Sequence, residues 1–280
     1  MSTLNILRGE ESGPLLIEPL SNASVAMRVS QVIATDQERY RIPKIVSDPT
    51  TAWIGESEDI PESDLAAENV STTPAKVAGI VFIPNELAED TTPAAAEIIG
   101  RRLVQGVVPK VDAAFFGIAP DEEDPDYEAH RPAGLESINV ASLSHVDAAP
   151  TSIDPFIDGL AAAEAEGAEL TSWVMHPDTA KTLAKLKAGT GSNVPLLGTV
   201  EAGTRRVIQG VPISTSPHVT PGTVWGIPED RSIIVVRKDV ELMASQHWGF
   251  KKDQLAVRVV ARIGFLFPAA RSLVKISQAA

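Results

Sequence analysis

The sequence predicts a mixed α+β protein of one large or two modest domains, and three patterns lead to this prediction. Apolar residues follow a helical stripe over residues 93 to about 116, helix and strand patterns alternate in residues 154–187, and short strands fill residues 206–277. The 280 residues are 44% hydrophobic and 22% charged, which is typical of a chain with a sizeable core. No run approaches the roughly 20 apolar residues of a membrane-spanning helix.

Charge is distributed unevenly along the chain. The formal net charge is −13, yet residues 231–280 carry nine Lys or Arg and three acids, a net +6, which leaves −19 for residues 1–230. The acids concentrate in residues 56–68 and 121–128. Such runs are usually solvated loops, and the functional alternative is complementarity to another subunit. A nucleic-acid-binding protein normally shows a basic excess, which this chain lacks.

The N-terminal 35 residues predict an arm. Gly13, Pro14 and Pro19 interrupt it, and its apolar residues are too few for a core element. A frayed terminus and an arm that lies on a partner both fit this pattern. The first ten residues lack the basic and apolar regions of a secretory signal.

A strand is predicted over residues 37–47, where Tyr40 and Ile42 alternate with polar residues and Pro43 indicates a sheet edge. Its predicted partner is residues 75–83, which have a period-two pattern. About 27 acidic and Pro/Gly-containing residues connect the two. A connection of that length predicts a functional loop that reaches outward, with Trp53 as a local anchor near its root.

The longest predicted helix begins at Pro93, after Thr92 as its N-cap, and ends before Gly117. Pro109 lies inside it and predicts a kink or break, because proline removes a backbone hydrogen bond and clashes with the preceding turn. The residues expected on its buried stripe are Ile99, Leu103, Gly106, Val107 and Val111. Those expected on its polar side are Arg101, Arg102, Lys110 and Asp112.

The second half of the chain predicts alternating helices and strands. A helix begins at Asp154 with Phe156, Ile157, Leu160 and Ala161 apolar, a buried strand covers residues 173–175, and another helix follows His176. Residues 188–203 contain four glycines and predict a flexible loop. Strands are predicted over residues 206–213, 223–227, 231–237, 255–266 and 271–277. The clearest alternation is Val257, Val259, Ala261, Ile263 and Phe265.

Motifs for catalysis are missing from the sequence. None of the five histidines is paired with another at metal-ligand spacing, there is no cysteine, and no Gly-x-Ser-x-Gly segment occurs. The glycines at 189 and 191 lack the lysine of a phosphate loop. The acidic runs are expected to be exposed, and exposed carboxylates make poor acid catalysts. The prediction is therefore a protein that is not an enzyme and that has no cofactor and no metal.

The order of these elements resembles the major capsid proteins of tailed double-stranded DNA phages, which have the Hong Kong 97-type capsid fold. The similarity extends from about residue 20 to 277 and depends on order and spacing rather than on one diagnostic motif. The segments that carry it are Ser24-Val25 to Val29, Arg41-Ile42-Pro43, Ala52-Trp53-Ile54-Gly55-Glu56, Pro61-Glu62-Ser63-Asp64, Asp112 to Gly117, Pro132 to Leu135, Met175-His176-Pro177, Gln209 to Ile213, and Phe250, Asp253, Arg258, Arg262, Pro268 and Ala270.

The resemblance implies an N-terminal arm over 1–36 and an extended loop, a β-hairpin, over 37–83. It implies a peripheral domain with a long spine helix over 84–135 and 229–280, and an axial α/β domain over 136–228. Such subunits assemble as pentamers and hexamers into an icosahedral head around double-stranded DNA, in the bacterial cytoplasm, without sequence-specific DNA binding and without a membrane. Further implied partners are a portal and a possible decoration protein. If Met1 is the native start, no long extension precedes the arm, and scaffolding is then expected to be a separate protein or absent.

The loop and the basic C-terminal segment supply the candidate inter-subunit contacts. These are Trp53, Glu56, Glu58, Asp59, Glu62 and Asp64 of the loop, and Arg258 and Arg262 of the C-terminal strands. Pro109 is the candidate hinge of the spine helix. Residues 48–70 contain no lysine, whereas the family members that join subunits by Lys–Asn bonds use a lysine in this loop. No such cross-link is therefore expected.

Two alternatives remain open from the sequence. An encapsulin-type nanocompartment has the same fold, but it typically begins with a helix that binds cargo peptides, whereas Pro and Gly interrupt residues 1–20. A small-molecule-binding α/β protein or a hydrolase would be a monomer or dimer with a pocket. This alternative does not explain the long acidic connection between the strands predicted over residues 37–47 and 75–83.

Overall fold

A computed structural model describes residues 23–45, 53–55, 67–84, 93–117, 130–187, 206–237, 241–249 and 252–278. The helices are α1 (Val25–Arg28), α2 (Pro93–Phe116), α3 (Asp154–Ala165) and α4 (Pro177–Ala184). The strands are β1 (Gln31–Thr35), β2 (Tyr40–Ile45), β3 (Ala67–Thr72), β4 (Ala75–Pro84), β5 (Ser144–Asp147), β6 (Ser172–Met175), β7 (Val207–Ile208), β8 (Val211–Thr215), β9 (Val224–Ile227), β10 (Ile233–Arg237), β11 (Glu241–Gly249), β12 (Gln254–Leu266) and β13 (Val274–Ser277).

The strands form two sheets and a ribbon. In the five-stranded sheet, the strand order is β1-β10-β12-β11, and β4 pairs with the other side of β12. The six-stranded sheet has the order β5-β13-β9-β6-β8-β7. The ribbon consists of β2 and β3 alone. The mixed α+β architecture predicted from the sequence is confirmed.

Strand β12 is the centre of the first core. Its odd-numbered residues from Val257 to Phe265 are buried against helix α2, which contributes Val107, Val111 and Phe115. Because successive side chains of a strand point to opposite faces, the even-numbered residues of β12 lie on the other side, here called the outer face of the sheet. The alternation predicted over residues 257–265 is therefore the signature of packing on this helix.

The predicted helix over residues 93–116 is confirmed, with two differences in detail. It continues through Pro109 as one element, so the predicted break is wrong, and both Pro109 and Gln105 are exposed. Water can therefore reach the backbone carbonyl of Gln105 that the proline leaves without its helical donor. Gly106, predicted on the buried stripe, is exposed, and Asp112, predicted on the polar side, is buried.

From residue 24 onward, the N-terminal segment packs on the rest of the chain and is not a free arm. Val25, Ala26, Met27 and Val29 are buried in the first core, and β1 pairs in parallel with β10. The prediction of an arm up to residue 35 is wrong for this part, because the short apolar run packs on α2 rather than staying in solvent. Residues 1–22 lie outside the described residues.

Strand pairing around the extended loop also differs from the prediction. β2 pairs with β3, from Tyr40 opposite Thr72 to Ile45 opposite Ala67, whereas β4 pairs with β12 along its whole length. The strand over 75–83 therefore exists, but its predicted partner is wrong. Its period-two pattern arises from packing one face of β4 on α2, with Ile83 buried, and not from pairing with β2.

The second core lies between the six-stranded sheet and helices α3 and α4, and its largest side chains are Trp173 and Phe156, which meet edge to face. The predicted helices near 154 and 177 and the strand at 173–175 are confirmed, although Ile157 is exposed. The C-terminal strands occur within a few residues of their predicted bounds, while β1, β3, β5 and β11 were not predicted. The predicted loop over 188–203 lies entirely outside the described residues.

Candidate assembly surfaces

The ribbon is fixed to the sheet at its root. Tyr40, Ile42 and Val70 pack on the outer face, where they cover a buried cluster at the β10 end of the sheet. That cluster comprises Ile233, Val235 and Leu266. The contact is close, since a Cβ atom added at Gly264 would lie 2.8 Å from Oγ1 of Thr72. The ribbon root is therefore held by packing within the chain.

Beyond its root the ribbon has little support from the described residues. β2 and β3 pair only with each other, as Pro43 predicted, and Arg39 donates from Nε to Oγ of Ser71 across the pair at 3.0 Å. Lys44 lies opposite Glu68, and both are exposed. A two-stranded ribbon is marginal by itself, so its outer part depends on contacts elsewhere.

Trp53 stands fully exposed, with a relative accessibility of 105%, and the neighbouring Ile54 is 41% exposed. The prediction that Trp53 is a local anchor is wrong, because its indole packs on no part of the described chain. The candidate contact residues Glu56, Glu58, Asp59, Glu62 and Asp64 lie outside the described residues. A fully exposed tryptophan is unusual for a residue that normally buries 150–250 Å².

Arg258 and Arg262 lie on the outer face of β12. Arg258 is exposed and stands in register between Ile80 of β4 and Met243 of β11, whose sulfur accepts a hydrogen bond from its Nη2 at 3.1 Å. Arg262 is half-buried and lies opposite Lys76. The structure thus places both candidate arginines on one face, beside apolar residues that sequence reasoning did not select.

A buried carboxylate joins the N-terminal segment to the spine helix. Asp112 of α2 accepts hydrogen bonds from Oγ of Ser24 at 2.6 Å, from the backbone N of Ala26 at 3.0 Å and from that of Val25 at 3.2 Å. Oγ of Ser24 in turn accepts from the backbone N of Met27 and so caps α1. Both residues occur in the motifs quoted above, but nothing in the sequence indicated that they meet.

A second long-range polar contact joins the two cores. Nζ of Lys275 in β13 lies 2.5 Å from Oε2 of Glu136, and both side chains are largely buried. The same ammonium group lies 5.3 Å from the centre of the Trp225 ring. Glu136 follows Leu135, a member of the first core, whereas β13 belongs to the six-stranded sheet. The pair is suited to holding the two parts together, and it offers no neighbouring nucleophile.

Among the described residues, no cluster of three or more His, Cys, Asp or Glu side chains could hold a metal ion. His176 caps α4, since its Nδ1 accepts from the backbone N of Asp178. The described part of the chain contains no helix with the length and hydropathy required to cross a membrane.

Comparison with solved structures identifies the fold. The capsid of an empty GTA particle has a TM-score of 0.73 at 16% identity and covers 92% of this chain and 90% of its own. A solved structure from Microbacterium phage Oxtober96 has a TM-score of 0.69 at 15% identity, with 91% of both chains covered. A virus-like particle from Pyrococcus furiosus is similar at 0.61 and 12% identity, covering 96% and 99%.

No curated protein matches the chain at a significant level. The family model described as the phage capsid family matches residues 10–277, almost the whole sequence. The Hong Kong 97-type capsid fold predicted from the order of the elements is therefore confirmed. The chain belongs to the phage capsid family and is a structural protein of the virion capsid.

Proposed function

We propose that the chain assembles, as pentamers and hexamers of identical copies, into the icosahedral head of a tailed phage that encloses double-stranded DNA. The observation that carries this proposal is the family match over residues 10–277. The fold agrees with it, since it is similar to a solved capsid structure over 92% of this chain. The net charge of −13 agrees with a shell that encloses DNA without binding it tightly. The chain acts as a building block and not as an enzyme.

The proposed division of the subunit follows the sequence prediction. It comprises an arm (1–36), an extended loop (37–83), a peripheral domain (84–135 and 229–280) and an axial domain (136–228). Because residues 25–29 pack on the first core, β1 pairs with β10 and β4 pairs with β12, the proposed reach toward neighbours is limited to the rest of the arm and loop. Two separate sheets with separate helices support two domains. Strand β13 of the C-terminal segment pairs with β5 and β9, so the end of the chain runs along the axial sheet.

The inter-subunit contacts that we propose join the acidic loop of one copy to the basic strands of another. Trp53, Glu56, Glu58, Asp59, Glu62 and Asp64 supply one side, and Arg258 and Arg262 the other. Among the described residues neither arginine forms an ion pair, which leaves both available to a partner. Because residues 48–70 contain no lysine, mature shells boiled in SDS should run at monomer mass, and a ladder above it would refute this expectation.

Pro109 is proposed as the hinge of the spine helix during expansion of the shell. The helix after Pro109 is held by the core and by Asp112, whereas Pro109 itself is exposed. Pro109→Ala restores the missing hydrogen bond and should slow or alter expansion, as followed by negative-stain electron microscopy of shells. Unchanged assembly and expansion would exclude a hinge at this residue.

The test of the main proposal is assembly of the chain expressed alone and with its scaffolding protein. Size-exclusion chromatography with light scattering, followed by negative-stain electron microscopy, should show rings of five or six copies or closed shells. Shells that contain enzyme cargo would favour the encapsulin alternative. A 29.7 kDa monomer that persists with the scaffolding protein present would overturn the proposal. Assembly in the host cytoplasm, a portal and a decoration protein are parts of the same proposal.

A further inference from the structure

The six-stranded sheet is buried on both faces. One face packs on α3 and α4 in the second core, and the other contributes Val174, Trp225 and Ile227 to the first core. Apolar contact is not directional, so it favours burial without fixing one angle between the two surfaces. Nε1 of Trp225 is buried and finds no hydrogen-bond partner among the described residues. This large side chain therefore makes no hydrogen bond there that would fix the angle.

The ion pair between Glu136 and Lys275 lies at this junction. Lys275 stands opposite Trp225 in the pairing of β13 with β9, so the two side chains lie on the same face of the sheet. The ammonium group lies 5.3 Å from the centre of the indole ring. Only 13% of the Lys275 side chain and 15% of the Glu136 side chain are exposed. The pair is thus a polar contact inside an otherwise apolar interface.

Glu136 belongs to a segment that is fixed to the end of the spine helix α2. Gly134 crosses the last turn of α2 so closely that an added Cβ atom would lie 2.1 Å from the carbonyl oxygen of Ala114. Leu135 is fully buried in the first core, and Oγ of Ser137 donates to the carbonyl oxygen of Gly134. The segment therefore connects the end of the spine helix, through the Glu136 carboxylate, to the six-stranded sheet.

The energetics of buried ion pairs favour a role in orientation over a role in stability. Replacing such a pair by apolar side chains of similar size is often neutral or stabilising, whereas separating its members leaves a buried charge without a partner. A turn of the six-stranded sheet that separates Glu136 from Lys275 therefore carries a large cost. The apolar contacts around them carry no comparable cost, because one apolar neighbour can replace another.

We propose that the Glu136–Lys275 pair is an orientation lock, which fixes the angle of the six-stranded sheet on the spine helix and is not needed for stability. The acid is held by the end of the helix and the ammonium group by β13, so the lock closes only where the two meet. This inference concerns the single subunit before any contact between copies, and it goes beyond the proposed assembly.

Pulsed electron spin resonance tests the lock in the unassembled chain, where the absence of cysteine makes labelling specific. Nitroxide labels at Gln105→Cys on α2 and Lys181→Cys on α4, both exposed positions, report the angle. The distance distribution should have one narrow peak when the pair is intact. In Glu136→Met/Lys275→Met it should broaden about twofold or split, because more than one orientation is then populated. The control labels, Ile157→Cys and Lys181→Cys, both lie on helices of the second core and should give the same width in both backgrounds.

Urea unfolding of the same chains separates orientation from stability. Glu136→Met alone leaves the ammonium group of Lys275 buried without its partner and should lower the urea midpoint by about 1 M. Adding Lys275→Met removes the unpaired charge and should return the midpoint to the wild-type value. If Glu136→Met alone fails to fold, the double variant decides the question by itself.

Each other outcome counts against the lock. One narrow peak in the double variant would overturn it, because the angle would then be fixed without the pair. A double variant that does not fold, or whose midpoint is as low as that of Glu136→Met, would show that the pair serves stability instead. A broader control distance would place the change inside the second core. None of these results depends on assembly, so failure of wild type to form shells with its scaffolding protein overturns the proposed function alone.

Discussion

The two halves of the outer sheet face have the same apolar character and opposite environments. Near β10, Leu266 is 2% exposed beneath the ribbon root, whereas Ile80, on the same face near β11, is 58% exposed. The ribbon root covers the first half, whereas the described residues leave the second half exposed. The comparison teaches that one strand, β12, can serve folding at one end and association at the other.

The largest expected effect is in the covered half. Leu266→Ala should lower the free energy of unfolding by about 3 kcal/mol, because it removes a buried side chain and leaves a cavity under the ribbon. Urea unfolding of the unassembled chain, followed by tryptophan fluorescence, measures this change. The matched variant in the open half, Ile80→Ala, should cost less than about 0.5 kcal/mol and instead weaken assembly. Equal losses of unfolding free energy in Leu266→Ala and Ile80→Ala would contradict the difference between the two halves of the face.

A smaller effect is expected where the ribbon crosses β12. Gly264→Ala places a Cβ atom against Thr72 and within 3.3 Å of the Cα atom of Pro74, so the ribbon root must shift, at a cost of about 1–2 kcal/mol. Trypsin should then cleave faster after Arg41. Gly79→Ala in β4 is the control, since its Cβ would meet Val259 at an ordinary 3.6 Å. Similar trypsin resistance in both variants would show that the root is not tightly seated.

The smallest of the three effects is at the N-terminal segment, where the contact is also internal to the chain. Ser24→Ala removes the hydroxyl that donates to Asp112 and caps α1, and should cost about 1 kcal/mol in unfolding free energy. Because this contact belongs to folding, the concentration needed for assembly should not change. Ser142→Ala, at an exposed position, is the control for stability. If Ser24→Ala changed the concentration needed for assembly but not the free energy of unfolding, this contact would serve association between copies rather than folding.

Elements that bury one face along their length could be predicted from the spacing of their apolar residues. Helix α2 and strand β12 pack on each other over many residues, so both were predicted nearly to their ends. β11 was missed because its sequence, ELMASQHWG, does not alternate, and β1 because its five residues gain their support from β10, about 200 residues later. Periodicity reports the face that is buried and does not report the neighbouring strand, which is why β2 was given the wrong partner.

The candidate contacts were predictable in part. Charge patterning selected Arg258 and Arg262, which the structure places on one face. The exposed apolar residues beside Arg258 were not selected, because Ile80 and Phe82 in a strand suggest a core when the sequence alone is considered. Asp112 was read as a polar-side residue for a similar reason, since an acid beside a helical stripe is normally solvated. Its burial depends on Ser24, and no local pattern encodes a contact 88 residues away.

The parallel pairing of β1 with β10 has a consequence for biosynthesis. Gln31 aligns with Ile233, so the strand made first by the ribosome finds its partner only after more than four fifths of the chain has been translated. Pairing over such a separation is intrinsically slow, and until then the residues of β1 lack that partner. A nascent or truncated subunit therefore cannot close its first sheet.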